Sequence, residues 1–260
     1  MNKAIKFSEG SMVIGLSGWA NAGEVSTSCV RYLIDKLKAT RLGEIESGRF
    51  YIYQLNRPQV FVEKGLIEGY RSIENQIFYW RNRSDKTGLV FLLGAEPHLD
   101  WPDYTRIVLD LAERVGVKRI YTIGGYLIDY YAEKPLITGS TNNRKMLVEL
   151  RKAGIDLVDY SGPTSIYIEI LWQGKSLGID VISLWCAVPL YIRGICPRAV
   201  YHLLLKLTSL IGVKVDLGEI KQKADSFENR LKTENIGLRR FISDLEAIRS
   251  SPKERPPYFI

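Results

Sequence analysis

Gly18-Trp19-Ala20-Asn21-Ala22-Gly23 has the outline of a phosphate-cradling loop, with two glycines spaced between an apolar run and a helix-like stretch. Such a loop then needs Lys followed by Ser or Thr, whose ammonium neutralises phosphate charge. Glu24 and Val25 stand in those places. A carboxylate there satisfies the helix dipole itself and repels an anion. The spacing therefore reads as a tight structural turn. Ser17 sits where a nucleophile elbow would lie, with Gly15 two residues before it but Trp19 two after, where glycine is needed. A triad would require His98 or His202 beside that serine. His202 falls inside an apolar helical stretch and reads as a packed core or interface histidine. His98 follows a strand and is the better candidate, but no third member accompanies it. Two histidines and the dispersed Cys29, Cys186 and Cys196 have no zinc-ligand spacing. Gly124-Gly125 lacks the spacing of a dinucleotide fingerprint and reads as a site of close backbone packing. No catalytic, cofactor-binding or metal-ligating residue is assigned.

The elements that would position any site alternate between strand and helix. Residues 89–93 are an unbroken apolar run, the mark of a strand buried on both faces. Asp100 is expected to cap a helix with Pro102 in its early turn, Tyr104, Val108 and Leu111 at helical spacing, and Gly116 as a left-handed stop. Residues 117–123 are a second buried strand, so the unit predicts a right-handed crossover in a parallel sheet. A strand over 12–17 and a helix carrying Val25, Cys29, Leu33 and Leu37 precede it. Shorter strands are expected over 49–54, 60–63 and 76–81, the last pairing antiparallel with 89–93. After the crossover come an irregular connection over 135–140 and a helix capped by Thr141 or Asn142 with Met146, Leu147 and Leu150 inward. A short strand over 155–158, a helix opened by Ser161-Gly162-Pro163, a buried strand over 179–188 and a helix from Pro197 to Gly212 follow. The pattern predicts an α/β fold, a mostly parallel sheet flanked by helices.

In such a sheet, loops leaving the strand C-termini gather on one edge, where ligands bind. Those loops carry Trp19, Asn21, Glu96 and His98, together with Trp101, Asp129, Ser161 and Tyr191. The mixture suits a small-molecule cleft and equally a protein-facing rim.

Beyond the sheet, Leu217, Ile220, Ala224, Phe227 and Leu231 recur at three-and-four spacing, and the register resumes at Leu238, Phe241, Leu245 and Ile248. A heptad stripe sustained this long predicts a facing helix, hence a self-association seam; packing back onto the parent domain is the alternative. The expected organisation is an α/β domain over 1–213, a C-terminal helical extension over 214–249 and a flexible proline-bearing tail over 250–260. At 260 residues the chain can bury one large core. Its apolar runs are strand-length, which argues against a membrane span, and no secretory signal opens it. An odd number of unpaired cysteines suits a reducing cytosol. The net charge of +7 is scattered, without the basic stripe or aromatic platform that nucleic-acid binding needs.

Several of these pieces form an ordered series. Gly18-Trp19-x-Asn21-Ala22-Gly23 is followed by Leu93-Gly94-x-Glu96-Pro97 with Trp101, and then by Gly124-Gly125 with Asp129. Ser161-Gly162-Pro163 and Trp185-x-x-x-Pro189-x-Tyr191, with Pro197 after it, complete the series. In it the chain resembles the proteasome assembly chaperone family, in the branch built on its second chaperone, over residues 12–212. The resemblance implies a nucleoside-phosphorylase-like α/β fold without an established enzymatic activity, and oligomeric members. Some members end in hydrophobic-Tyr-any and dock that tail between α subunits of the proteasome core particle; here the corresponding residues are Tyr258, Phe259 and Ile260. The chain departs from the family at Tyr131 and Ala132, where members often have Pro-His, and at Leu190, which replaces a frequent His. Both departures weaken a catalytic reading of the cleft. The expectation is a cytoplasmic, homo-oligomeric, non-enzymatic chaperone or proteasome-associated protein without a cofactor, whose partners are its own copies and proteasome α subunits. The alternative is a small-molecule-binding protein or enzyme using the cleft at the sheet's C-terminal edge.

Overall fold

The computed structural model describes residues 5–46, 48–82, 87–130 and 134–233. Its centre is β1 (Gly10–Ser17), where Met12, Val13, Ile14 and Leu16 are almost wholly buried. A strand apolar at successive positions needs cover on both faces, and both are covered. Met12, Ile14 and Leu16 pack on α2 (Trp101–Val115) and α4 (Ile166–Ser176). Val13 faces α1 (Val25–Leu37) and α5 (Pro197–Ile211). Each aliphatic side chain so buried contributes about 1.5–3 kcal/mol.

Two parallel neighbours flank β1: β6 (Gly88–Ala95) on one side and β7 (Val117–Ile128) on the other. The β6–α2–β7 crossover therefore steps over β1 rather than joining adjacent strands. β10 (Asp180–Pro189) lies parallel to β7. Antiparallel strands close the flanks, β5 (Asn75–Arg81) and then β2 (Thr40–Ile45) beyond β6, and β8 (Ile137–Thr141) beyond β10. The two-residue β9 (Asp156–Leu157) runs parallel to β8 at the far edge. The order β2-β5-β6-β1-β7-β10-β8-β9 is the expected mostly parallel sheet flanked by helices.

Several expected elements differ. Residues 49–54 form turns, not a strand, and the connection over 135–140 contains β8. Asp100 takes a left-handed conformation (φ 56°) and makes no side-chain cap on α2. Asn142 does not cap α3 (Met146–Lys152). Its amide instead accepts from the Val181 N–H and donates to the Leu171 and Ile179 carbonyls, bracing β10. Besides β8, two more strands escaped the sequence reading, β2 and β4 (Leu66–Arg71). The latter pairs with β3 (Gln59–Glu63) in a separate two-stranded ribbon.

The first half of the apolar stripe lies on α6 (Gly218–Thr233). Ile220 and Ala224 are buried, and Leu217 and Phe227 pack on the layer formed by α1 and α5. Buried Arg198 at the start of α5 forms an ion pair with Glu228, and Lys36 of α1 meets Glu219 at 2.8 Å. Those positions therefore face their own domain, and Leu231 is half-buried. Leu238, Phe241 and Leu245, the tail residues Tyr258, Phe259 and Ile260, and Tyr131 and Ala132 lie outside the described residues.

Candidate functional site

The strands β1 and β7 pair only as far as Ile14 and Thr122, whereas β1 and β6 stay paired to Ser17 and Ala95. A gap opens between β1 and β7 at the C-terminal edge, the place where open α/β sheets hold ligands. Here protein groups fill it. The Leu16 N–H donates to the Tyr167 hydroxyl at 2.8 Å and to Ser26 Oγ at 3.0 Å, and the two oxygens lie 2.9 Å apart. Ser26 arrives from α1 on one face of the sheet and Tyr167 from α4 on the other. Burial pushes the Tyr167 hydroxyl far above its ordinary range, so it remains a neutral hydrogen-bonding group.

The loop between β1 and α1 lies across β7. The Gly125 N–H donates to the Ala20 carbonyl at 2.8 Å, and a Cβ on Gly125 would stand 2.4 Å from the Ala22 carbonyl oxygen. A Cβ on Gly124 would meet the Trp185 ring at 2.5 Å. The glycine pair is therefore a close-packing site, as its sequence suggested. Trp185 meets Tyr167 edge-on at 6.0 Å and Trp19 at 6.2 Å, and Trp19 remains 60% exposed above them.

Glu96 locks this arrangement. One carboxylate oxygen accepts from the Ile166 N–H at 2.9 Å, at the N-terminus of α4, and the other from the Trp19 N–H at 3.3 Å. A carboxylate is favoured there by the helix dipole and by two otherwise unpaired donors. Asn21 is similarly engaged, its amide donating to Thr27 Oγ1 and accepting from the Thr27 N–H, each at 3.2 Å.

The other candidates do not join them. The imidazole of His98 accepts through Nδ1 from the Ile52 N–H at 3.0 Å and stands edge-on to Tyr51, organising the 50–56 turns rather than activating Ser17. Trp101 donates from its indole to the Pro97 carbonyl at 2.7 Å. Asp129 and Ser161 are exposed and Tyr191 is half-buried. Nearby, Tyr51 donates to the Ala95 carbonyl at 2.5 Å and accepts from the Asn75 amide; burial raises its hydroxyl to about 12. An open groove of about 720 Å³ lies beside the edge, between Asn21, Glu24 and Arg31 on one side and Arg57, Arg71 and Glu74 on the other. Of the eight candidate cleft residues only Asn21 lines it. The three cysteines are buried and burial pushes their thiols up, so they are poor nucleophiles. Among the described residues no three His, Cys, Asp or Glu gather as metal ligands.

Part of the ordered sequence series thus meets in one junction, with Trp19 on Glu96 and Trp185, Asn21 beside Gly125, and Glu96 at the start of α4, whereas Trp101, Asp129, Ser161 and Tyr191 lie outside it. The profile of the PAC2 family matches residues 15–234, which span all of it. The chain belongs to the PAC2 family. Solved structures agree with this PAC2 assignment. A proteasome-assembly chaperone homologue from Mycobacterium tuberculosis superposes with a TM-score of 0.79 at 24% identity, over 86% of this chain and 94% of its own. A PAC2 family protein from Streptomyces avermitilis gives 0.78 at 25% identity, over 86% and 95%. PbaB of Pyrococcus furiosus, an archaeal proteasome activator, gives 0.71 at 20% identity, over 88% and 94%. No curated protein sequence matches the chain. No helix among the described residues of this PAC2 chain is long and apolar enough to cross a membrane.

Sequence reasoning missed Ser26, Tyr167 and Trp185 as members of the junction. Trp185 carried a signal, since it belongs to the ordered series. Ser26 and Tyr167 carried none, because their shared partner, Leu16, contributes only a backbone amide.

Proposed function

We propose that this PAC2-family chain is a non-enzymatic, homo-oligomeric assembly factor that acts on the proteasome. The observation that carries the reading is the family match over residues 15–234. Two structural relatives named for proteasome assembly and activation support it. A gap at the ligand edge filled by Ser26 and Tyr167 favours a binding protein over an enzyme. In this reading Tyr258, Phe259 and Ile260 dock between proteasome α subunits, their apolar groups filling the cleft. Phe259 stands where a tyrosine is usual, which forgoes one hydrogen bond worth about 0.5–1.5 kcal/mol. Several tails on one oligomer offset that loss through avidity. Leu238, Phe241 and Leu245 continue the α6 stripe and are the part of it that would join subunits in the cytoplasm.

The test is capture of core particles from the same cells by the tagged full chain. Retention should fall at least about tenfold when Tyr258 and Phe259 are both changed to Ser, the loss expected of two buried aromatic contacts. No capture by the native chain, or capture indifferent to the two changes, rules the docking out.

A further inference from the structure

The groove of about 720 Å³ beside the sheet's C-terminal edge collects arginines from three separate stretches of chain. Arg31 stands on α1, Arg57 just before β3, and Arg71 at the end of β4. All three are exposed, and among the described residues none of their guanidiniums has a carboxylate partner. Arg71 sits 5.5 Å over the Phe61 ring, which holds it at the base of the ribbon. Elsewhere the pattern differs: Arg49 and Arg119, which line two other grooves, are tied to Asp103 and Glu149 at 3.0 and 2.8 Å. Glu24 and Glu74 share the groove with the three arginines. Glu74 is already engaged, accepting from the Arg41 guanidinium at 3.4 Å and from the Gln76 amide at 2.7 Å. Glu24 is left to oppose three guanidiniums, an excess of two positive charges. A guanidinium in that position is suited to take a carboxylate in a two-pronged pair.

The rest of the lining narrows the ligand. Among the described residues no aromatic ring lines the groove, so a nucleobase has no platform to stack on. The walls are mostly polar, unlike the apolar pockets that enclose small organic ligands. A simple polyanion offers acceptors only, and Glu24 would face it without a donor. An extended peptide supplies both kinds of group, side-chain carboxylates for the guanidiniums and backbone N–H donors for Glu24. We propose that the groove binds an extended acidic peptide segment of a partner protein, with two or more of its carboxylates paired to Arg31, Arg57 and Arg71. The net charge of +7 adds a long-range attraction for such a segment. This contact goes beyond the reading above: it is separate from Tyr258, Phe259 and Ile260, and holds whether or not those residues dock. Ion pairs open to solvent are individually weak and are screened by salt, so binding should be modest and should weaken as salt rises.

The test is fluorescence polarisation of a labelled, end-blocked peptide of about ten residues alternating Glu and Ser, roughly 33 Å long when extended, titrated with the full chain. It should bind with a dissociation constant of about 10–500 μM, the range of a few weak pairs acting together. The matching peptide of Gln and Ser should not bind. R57E with R71E should weaken binding at least about tenfold at unchanged circular dichroism, because attraction becomes like-charge repulsion. R31E should weaken it several-fold from α1. The control is R144E with K145E, exposed residues just before α3 on the far flank of the sheet, whose reversal changes the net charge equally. With that control, binding should change less than about twofold. Raising salt from about 50 to 500 mM should weaken the native complex several-fold. Equal binding of the two peptides, equal loss in the two double reversals, or indifference to salt overturns the proposal. A chain that takes inorganic tripolyphosphate but not the Glu–Ser peptide, or that takes neither, overturns it as well. Failure to capture core particles would overturn the docking reading alone and leave the peptide titration unchanged.

Discussion

At the edge above β1 and β7, carboxylates, hydroxyls and amides of the kinds that perform chemistry are turned inward onto backbone groups. On the β3–β4 ribbon, apolar side chains of the kinds that build cores are turned outward. The difference shows that residue type sets what a side chain can do, while the atoms opposite it decide what it does. Glu96 looks like an acid–base group until both its oxygens are found on the Ile166 and Trp19 amides. Val62 and Ile67 look like core residues until they are found 57% and 70% exposed among the described residues.

Three substitutions sharpen or break that contrast. The largest effect is expected for Gly125→Ala, whose Cβ would lie 2.4 Å from a backbone oxygen that only a shift of the 18–23 loop can move. Overpacking of this kind costs about 3 kcal/mol. Urea unfolding should show a lower midpoint at an unchanged slope; a neutral result would mean the loop is not seated on β7. Next comes Glu96→Ala, which removes a charge-assisted acceptor from two backbone donors and should cost about 2 kcal/mol. Glu96→Gln, which keeps a carbonyl oxygen, should recover part of it in the same measurement. If Glu96→Ala instead left stability intact and abolished a bound activity, the structural role given to Glu96 would be wrong. The smallest effect is expected for Ile67→Ser, read at submicromolar protein so that association does not contribute. An exposed side chain outside the core should change stability by less than about 0.5 kcal/mol. A loss of several times that would place Ile67 in the domain's own core.

Much of the sheet was legible because its inner strands are covered on both faces. Runs such as Leu89–Leu93 or Val181–Leu184 signal strand without any knowledge of neighbours. The flanking strands carry no such signal. β8 turns Ile137 and Gly139 inward, and Gly139 lies where a Cβ would be 3.0 Å from Ile155, so a strand position that must stay small resembles a loop. β2 is exposed along most of its length and reads as polar connection. The Asp100 cap failed because its backbone turns left-handed, outside the extended conformation from which an N-cap side chain reaches the first amides. At the junction, the glycine pair and the Gly18–Gly23 turn were readable as tight packing because local spacing excluded the alternatives. The work done by Glu96 and Tyr167 was not, since their partners lie 70 and 151 residues away. Hydrogen bonds of that span leave no local pattern. The apolar stripe beginning at Leu217 was legible as a stripe, but not what faces it. On α6 that is the layer of α1 and α5, with Ile220 and Ala224 buried against it.

The central position of β1 has a consequence for how the chain is made. Its strand partners arrive late: Gly10 waits for Gly88, 78 residues downstream, and its other neighbour β7 begins only at Val117. At ordinary translation rates of about 5–20 residues per second, that first wait lasts roughly 4–16 s. Throughout it the ribosome holds out an apolar strand with both edges unpaired, a template for any other extended chain nearby. Slowing the ribosome between β1 and β6 should lower the soluble yield, and supplying a holdase during that interval should restore it.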